Sequence, residues 1–320
     1  MLRRMAPDDR TLQYYRAVYA TGSIRAAARQ LGLAPSAVSR KIAELERRLG
    51  IPLLERSARG IRPTEAGDLL ARFANDRAHL EDLLHENLDD LRGLRRGRVR
   101  LAAGEGFVDD LMTRGLIPFL GVHPGVSVEL TTGGTDEICD LLLADDVDLA
   151  LALHAKPHPD LTAVKQAPQP LHVICARAHP LADHQRIDPS ELAGQAATVL
   201  PARFGIRTLT DQIQRMYGVS LDIRMVSSSI QAVVDFVLSG LGITLLPRVA
   251  VGQQLAGGLL RAIPLTTNDH DHVHAQLLVR RGRTPSYITR QLLDHCAHQL
   301  DSLADQSPGV ADQATPRSHN

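Results

Sequence analysis

Gly22-Ser23-Ile24-Arg25-Ala26-Ala27-Ala28-Arg29-Gln30-Leu31-Gly32, then Leu33-Ala34-Pro35-Ser36-Ala37-Val38-Ser39-Arg40-Lys41-Ile42 and on to Gly50, is the stretch whose reading decides the fold. Ser23 is placed to cap a helix, because its hydroxyl can accept from N–H groups that have no partner in a first turn. The three alanines let neighbouring backbones come close, and Gly32 supplies a stop after about two turns. Pro35 suits the first position of the next helix, where its missing N–H would have had no partner. In that helix Val38, Ile42, Leu45 and Leu49 repeat as a buried stripe, while Ser36, Ser39, Arg40 and Arg47 fall off it. Gly50 closes the helix. Two helices joined by a short turn, the second polar in its N-terminal half, make a helix-turn-helix, and the second helix fits a major groove.

Working outward, Leu12, Tyr15, Val18 and Tyr19 recur at helical spacing ahead of Gly22. Downstream, Ile51–Arg56 and Ile61–Thr64 flank the turn Ser57-Ala58-Arg59-Gly60 and read as a β-hairpin wing. Arg56, Arg59 and Arg62 are there for phosphate or the minor groove. Residues 1–64 hold thirteen Arg or Lys against five acids, a balance of +8, and the other 256 residues offset it at −8. A basic block on an acidic body points to a polyanionic partner for the block alone.

After Thr64, which can cap, Glu65 and Asp68 favour the positive end of a helix dipole. Leu69, Phe73, Leu80, Leu84, Leu88, Leu91 and Leu94 then form an apolar seam near 3.5-residue spacing. A helix from 65 to about 92 would be about 40 Å long, and one seam on it asks for a partner, either a second copy or the protein's own domain.

The run Gly22–Ala28, the segment Ala37–Ile42, Leu45-Glu46, Leu49-Gly50 and Thr64-Glu65-Ala66-Gly67 together resemble, in order and spacing, the signature of LysR-type transcriptional regulators. Many members carry Gln where Pro35 stands and Phe where Leu54 stands. The resemblance implies that Ser23, Arg25, Pro35, Ser36, Ser39 and Arg40, with Arg56, Arg59 and Arg62 of the wing, face DNA. It also implies a dimerising linker helix.

From Val99 the pattern changes to strands alternating with helices, which predicts a parallel sheet with covering helices. Val99–Ala103, Val126–Thr131 and Val147–Leu153 read as strands, with helices at Val108–Leu120 and Thr135–Ala144. A second unit starts at His172–Ala176, and a final strand, Ala275–Val279, and helix, Ser286–Leu300, return to the first. Asp148-Leu149-Ala150, His179-Pro180-Leu181-Ala182 and Gly240–Pro247 sit where LysR-type effector domains carry similar runs, so the resemblance spans residues 10–300.

The fold class expected is therefore α/β with a winged helix-turn-helix head and a two-lobed effector domain like periplasmic binding proteins. The expected limits are 1–64 for the head and 65–94 for the linker helix. The effector domain takes 95–300, with lobe I at 95–164 and 267–300 and lobe II at 165–266, and a disordered tail takes 301–320. Crossover strands are implied near 163–168 and 264–268. By the same resemblance a small-molecule effector meets Glu105, Gly106, Phe107, the turn Gly133-Gly134-Thr135, Arg203, Phe204, Ser227, Ser228, Ser229 and Thr244. Glu105 facing Arg203 suggests an amine-bearing or zwitterionic effector. Double-stranded DNA, the effector and further copies of the chain in a homodimer or homotetramer are the implied partners, with RNA polymerase a further candidate.

Other chemistries are weaker. His270, His272 and His274 alternate as a metal site on a strand would, but lack a fourth ligand and read as a polar crossover loop. Ser227–Ser229 lack a nucleophile elbow and a His or Asp partner, and no acid–base constellation suggests an enzyme. A solute-binding protein of a transport system would carry a signal peptide, and the start of this chain has no apolar core. No cofactor or metal is expected. No run reaches the roughly 18 apolar residues of a membrane span, and Cys139, Cys175 and Cys296 lie apart without metal or redox spacing, so a cytoplasmic protein is expected.

Overall fold

The computed structural model describes residues 7–57, 60–91, 97–266 and 273–304, with backbone only at Arg56, Ser57 and Gly60 and at 79, 82, 85–87 and 89–91. Arg59, His270 and His272, the basic segment 92–96 and the expected tail from 305 lie outside the described residues. The chain divides into two compact units between Leu88 and Asp89.

In the first unit the local signals act as capping chemistry requires. Helix α1 (Asp9–Thr21) opens on Asp8, which accepts from the Thr11 N–H at 2.9 Å, and ends at Gly22 with φ 60°. Helix α2 (Ile24–Leu31) is capped by Ser23, which accepts from the Ala26 N–H at 3.4 Å. Helix α3 (Pro35–Leu49) starts on its proline and ends at Gly50, φ 70°. Strands β1 (Leu54–Ser57) and β2 (Gly60–Pro63) pair antiparallel, with Glu55 opposite Arg62. Helix α4 (Glu65–Leu91) follows, its Thr64 hydroxyl accepting from the Gly67 N–H at 3.1 Å.

Tyr15, Val18, Ala27, Ala28, Val38, Ile42, Leu45 and Leu53 close one core beneath these helices. Glu46 Oε1 accepts from the N–H groups of Leu53 and Leu54 at 2.8 and 3.1 Å and so fixes where the wing departs. Gly67 lies against the Leu53 carbonyl and the Tyr15 hydroxyl so closely that a Cβ would overlap the first. Glycine here lets α4 start in contact with the helix-turn-helix core. Farther along α4, Ala71 and Ala74 are buried, but Leu69, Phe73, Leu80, Leu84 and Leu88 are 41 to 62% exposed.

The second unit contains β3 (Gly97–Gly104), then α5 (Val108–Asp110), a π-helical turn at Leu111–Leu116 and α6 (Ile117–Val122). There follow β4 (Val126–Gly133), α7 (Thr135–Leu143), β5 (Leu149–Leu153), β6 (Leu161–Pro168), β7 (Leu171–Ala176) and β8 (Ala196–Val199). Next come α8 (Gly205–Tyr217), β9 (Asp222–Val226), α9 (Ile230–Leu238), β10 (Thr244–Pro247), α10 (Gly252–Ala256) and β11 (Leu260–Pro264). Strand β12 (His274–Arg280) and α11 (Tyr287–Gln299) end the unit with a 3-10 turn at Asp301–Leu303. Ser302 and Leu303 are buried, so residues 301–303 belong to the fold rather than to the expected tail.

Two lobes result. In lobe I the strands run in the order β4-β3-β5-β12-β6. Every residue of β5 is buried, as a continuous apolar run between covered faces requires. Lobe II is built on β10-β7-β11 and on the pair β8-β9, linked by a parallel bridge between Ala197 and Ile243. The parallel sheet expected from the alternation is present in β3, β4 and β5. Strands β4, β3, β5 and β6 run in one direction, and β12 runs antiparallel between β5 and β6. The antiparallel strand is the one that returns from lobe II: β12 enters between β5 and β6 and separates these two consecutive strands. At one edge of lobe I, Asp145 pairs with Arg280 and Arg283, and Asp148 with Arg100 and Arg283, which ties β3, β5 and β12 together.

Candidate functional site

On the helix-turn-helix, the first turns of α3 stand away from the core. Pro35, Ser36 and Arg40 are exposed and Ser39 is half-buried, whereas Val38 and Ile42 are inside. Arg25 on α2 and Arg62 on β2 are also exposed, and Ser23 is occupied as a helix cap. The side chain of Arg56 and all of Arg59 lie outside the described residues. Arg29 and Arg47, exposed on α2 and α3, add two cations that the reading of candidate DNA contacts passed over. Arg47 was legible as a position off the buried stripe of α3, whereas Arg29 carried charge alone. A helix with hydroxyls, a proline start and guanidinium groups on its free face can set phosphates and reach base edges.

In the second unit, Glu105, Arg203, Phe204 and Ser228 gather around one cavity of about 560 Å³, together with Thr132, Gly133 and Glu137. Each arrives from an element end. Glu105 follows the C-terminal end of β3, Thr132 and Gly133 close β4, Arg203 and Phe204 precede α8, and Ser228 precedes α9. Ligands of open α/β sheets sit at such strand ends. The Arg203 guanidinium lies 5.2 Å from the centre of the Phe204 ring. Glu137 was missed because, three residues into α7, its link to the Gly134 N–H at 3.4 Å looks like ordinary capping.

The other expected residues take other places. Phe107 is buried in the main core, and Thr244 is buried in β10 opposite Ile174. Thr135 donates its hydroxyl to the Leu153 carbonyl at 3.0 Å. Ser229 caps α9, and Ser227 accepts from the Ser229 N–H at 3.1 Å. Gly106 lies beside Ala250, near enough that a Cβ would be 3.4 Å from it. Of the three alternate histidines, His274 opens β12, and its carbonyl accepts from the His154 N–H at 2.7 Å. The three cysteines are unpaired, and burial raises Cys139 and Cys175 to about 11 and Cys296 to about 12, so none is a thiolate near neutral pH. Among the described residues no helix is long and apolar enough to cross a membrane.

A basic winged helix-turn-helix in one unit and a two-lobed cleft in the other define the class of ligand-responsive transcription regulators. Residues 10–68 match the family model for the bacterial regulatory helix-turn-helix protein of the lysR family, and residues 92–301 match the LysR substrate binding domain. The chain belongs to the LysR family of transcriptional regulators, which are not enzymes. It is 27% identical over 290 residues to the HTH-type transcriptional activator CmpR of Synechocystis sp., covering 88% of this chain and 92% of that one. Its fold is similar to full-length OxyR from Pseudomonas aeruginosa, at a TM-score of 0.69 and 19% identity over 95% of this chain and 99% of that one. The regulatory domain of Synechocystis CcmR, solved in complex with 2-PG, matches at a TM-score of 0.54 and 23% identity, covering 62% of this chain and 95% of that domain.

Proposed function

We propose that this regulator binds double-stranded DNA through the free face of α3 and the wing, pairs with a second copy through the exposed seam of α4, and responds to a small amine-bearing or zwitterionic effector. Head and linker helix take the limits 1–64 and 65–94, the effector domain runs from 95 through the buried turn at 301–303, and the protein acts in the cytoplasm, where its DNA is. The cavity carries this reading. One guanidinium, Arg203, and two carboxylates, Glu105 and Glu137, line the same 560 Å³ space, which supplies a partner for each end of a zwitterion. An effector that prefers one arrangement of the two lobes shifts the population toward it, and in a dimer this changes how paired heads meet DNA.

Thermal-shift measurement of the full chain against amino acids, amines and simple carboxylic acids at matched ionic strength tests the effector class. A matching zwitterion at a hundred times its Kd stabilises the protein by about 2.7 kcal/mol, or roughly 5–10 °C for a unit of this size. Simple acids leave the midpoint where it is. Stabilisation by simple acids alone counts against the proposal.

A further inference from the structure

The loop after β3 belongs to lobe I and helix α9 to lobe II, yet one side chain joins them. Glu105 Oε1 accepts the N–H of Ile230 at 2.9 Å, across 125 residues of sequence. Ile230 is the first residue of α9, where unpaired N–H groups and the helix dipole favour a negative charge. The capping hydroxyls of that turn have local work: Ser229 Oγ accepts from the Ala232 N–H at 3.3 Å and Ser227 Oγ from the Ser229 N–H at 3.1 Å. The carboxylate at this helix end therefore comes from the opposite lobe. Two more contacts cross the same gap. Gly134 packs on the Arg203 carbonyl so tightly that a Cβ would overlap it, and Gln253 Nε2 donates to Asp109 Oδ1 at 2.6 Å.

We infer that Glu105 is a tethered anion, which fills the α9 end of the effector cleft and holds the lobes together before any effector arrives. A free monoanion seeking that place competes with a carboxylate already held beside it, at an effective concentration on the order of millimolar or more. It also meets the charge of Glu137 across the cavity. A ligand that brings a cation meets neither obstacle. Glu105 is thus a specificity-determining residue, and its hydrogen bond is the first contact that an anionic competitor must break. The consequence for ligand choice rests on reading this cleft as the effector site; the contact itself can be tested without effector or operator.

Hydrogen–deuterium exchange of the full chain, resolved at the Ile230 amide, provides that test. Glu105→Ala removes the acceptor and leaves a carboxylate-sized gap. Exchange at Ile230 rises about tenfold or more, as expected when a charged acceptor is lost, while the Ala232 amide capped by Ser229 keeps its rate. Sodium acetate, compared with sodium chloride at equal ionic strength, restores protection at Ile230 in Glu105→Ala and leaves the unsubstituted protein unchanged. Glu105→Asp, a methylene too short for the contact, loses the same protection, and it serves if the alanine variant does not fold. Unchanged exchange at Ile230 in the variants, or equal effects of acetate and chloride on Glu105→Ala, overturns the inference. Either result leaves the thermal-shift test of effector class standing.

Discussion

Leu80→Glu combined with Leu84→Glu leaves the protein monomeric and weakens its binding to a two-half-site DNA by about a hundredfold or more, the scale on which linked sites gain from one another. Leu69, Phe73, Leu80, Leu84 and Leu88 lie 4, 7, 4 and 4 residues apart on α4, and each is at least 41% exposed. Ala71 and Ala74 face inward on the same helix, so the head already covers a different stripe. Arg77 pairs with Glu81 along the helix and with Asp9 of α1, so these charges lie on the side toward the head and not in the seam. A seam of this kind is covered by the same seam on a second copy. Two carboxylates placed in it must be buried opposite two more, which the interface cannot tolerate. Light scattering reads the mass, and anisotropy on single and paired half-sites separates the effects. Half-site affinity stays the same while paired-site affinity falls. A double variant that remains a dimer removes α4 as the pairing element.

The second large effect is on stability. Gly242→Ala lowers the unfolding free energy of the second unit by about 3 kcal/mol or more, and its midpoint by roughly 6–12 °C. A Cβ at Gly242 would overlap the carbonyl of Ala196. That carbonyl also accepts the Ile243 N–H at 2.9 Å, and the Ile243 carbonyl accepts from Thr198 at 3.0 Å, which is the junction between β8 and β10. Ala197, Thr198 and Ile243 are fully buried there, so the strands cannot part without opening lobe II. Gly240→Ala is the control. Gly240 has φ 75° with open space around it, and its substitution costs only about 1 kcal/mol of backbone strain. Calorimetry that finds the two variants equally stable contradicts this account of the junction.

The parts of the fold that were legible in the sequence are those whose cause is local. Ser23, Pro35, Gly22, Gly32 and Gly50 act within one turn of where they stand, and all five begin or end a helix as their chemistry requires. Apolar periodicity located β3, β4, β5, β7 and β12 but carries no information on strand direction, so the antiparallel placement of β12 could not be read from it. Helix α8 starts at Gly205, where the glycine fits against Thr135 Oγ1 and the Leu153 carbonyl, at 3.0 and 3.2 Å from where a Cβ would be. Such a fit depends on lobe I and leaves no local mark. The same holds for the candidate site. Glu105 and Arg203 were visible as unusual charges in expected loops, but the bond from Glu105 to Ile230 joins residues 125 apart, and Phe107 and Thr244 turn inward for reasons of sheet packing.

The measurement closest to the central claim is binding of the full chain to the DNA upstream of its own gene and to scrambled DNA, from 50 to 200 mM salt, with Arg40→Ala alongside. Tight, sequence-selective binding is expected, falling about a thousandfold or more across that salt range if six or more phosphates are contacted. Arg40→Ala costs a further tenfold or so at low salt, because Arg40 is exposed on the free face of α3. Failure to bind any nucleic acid at any salt, with or without added metabolites, would contradict the account.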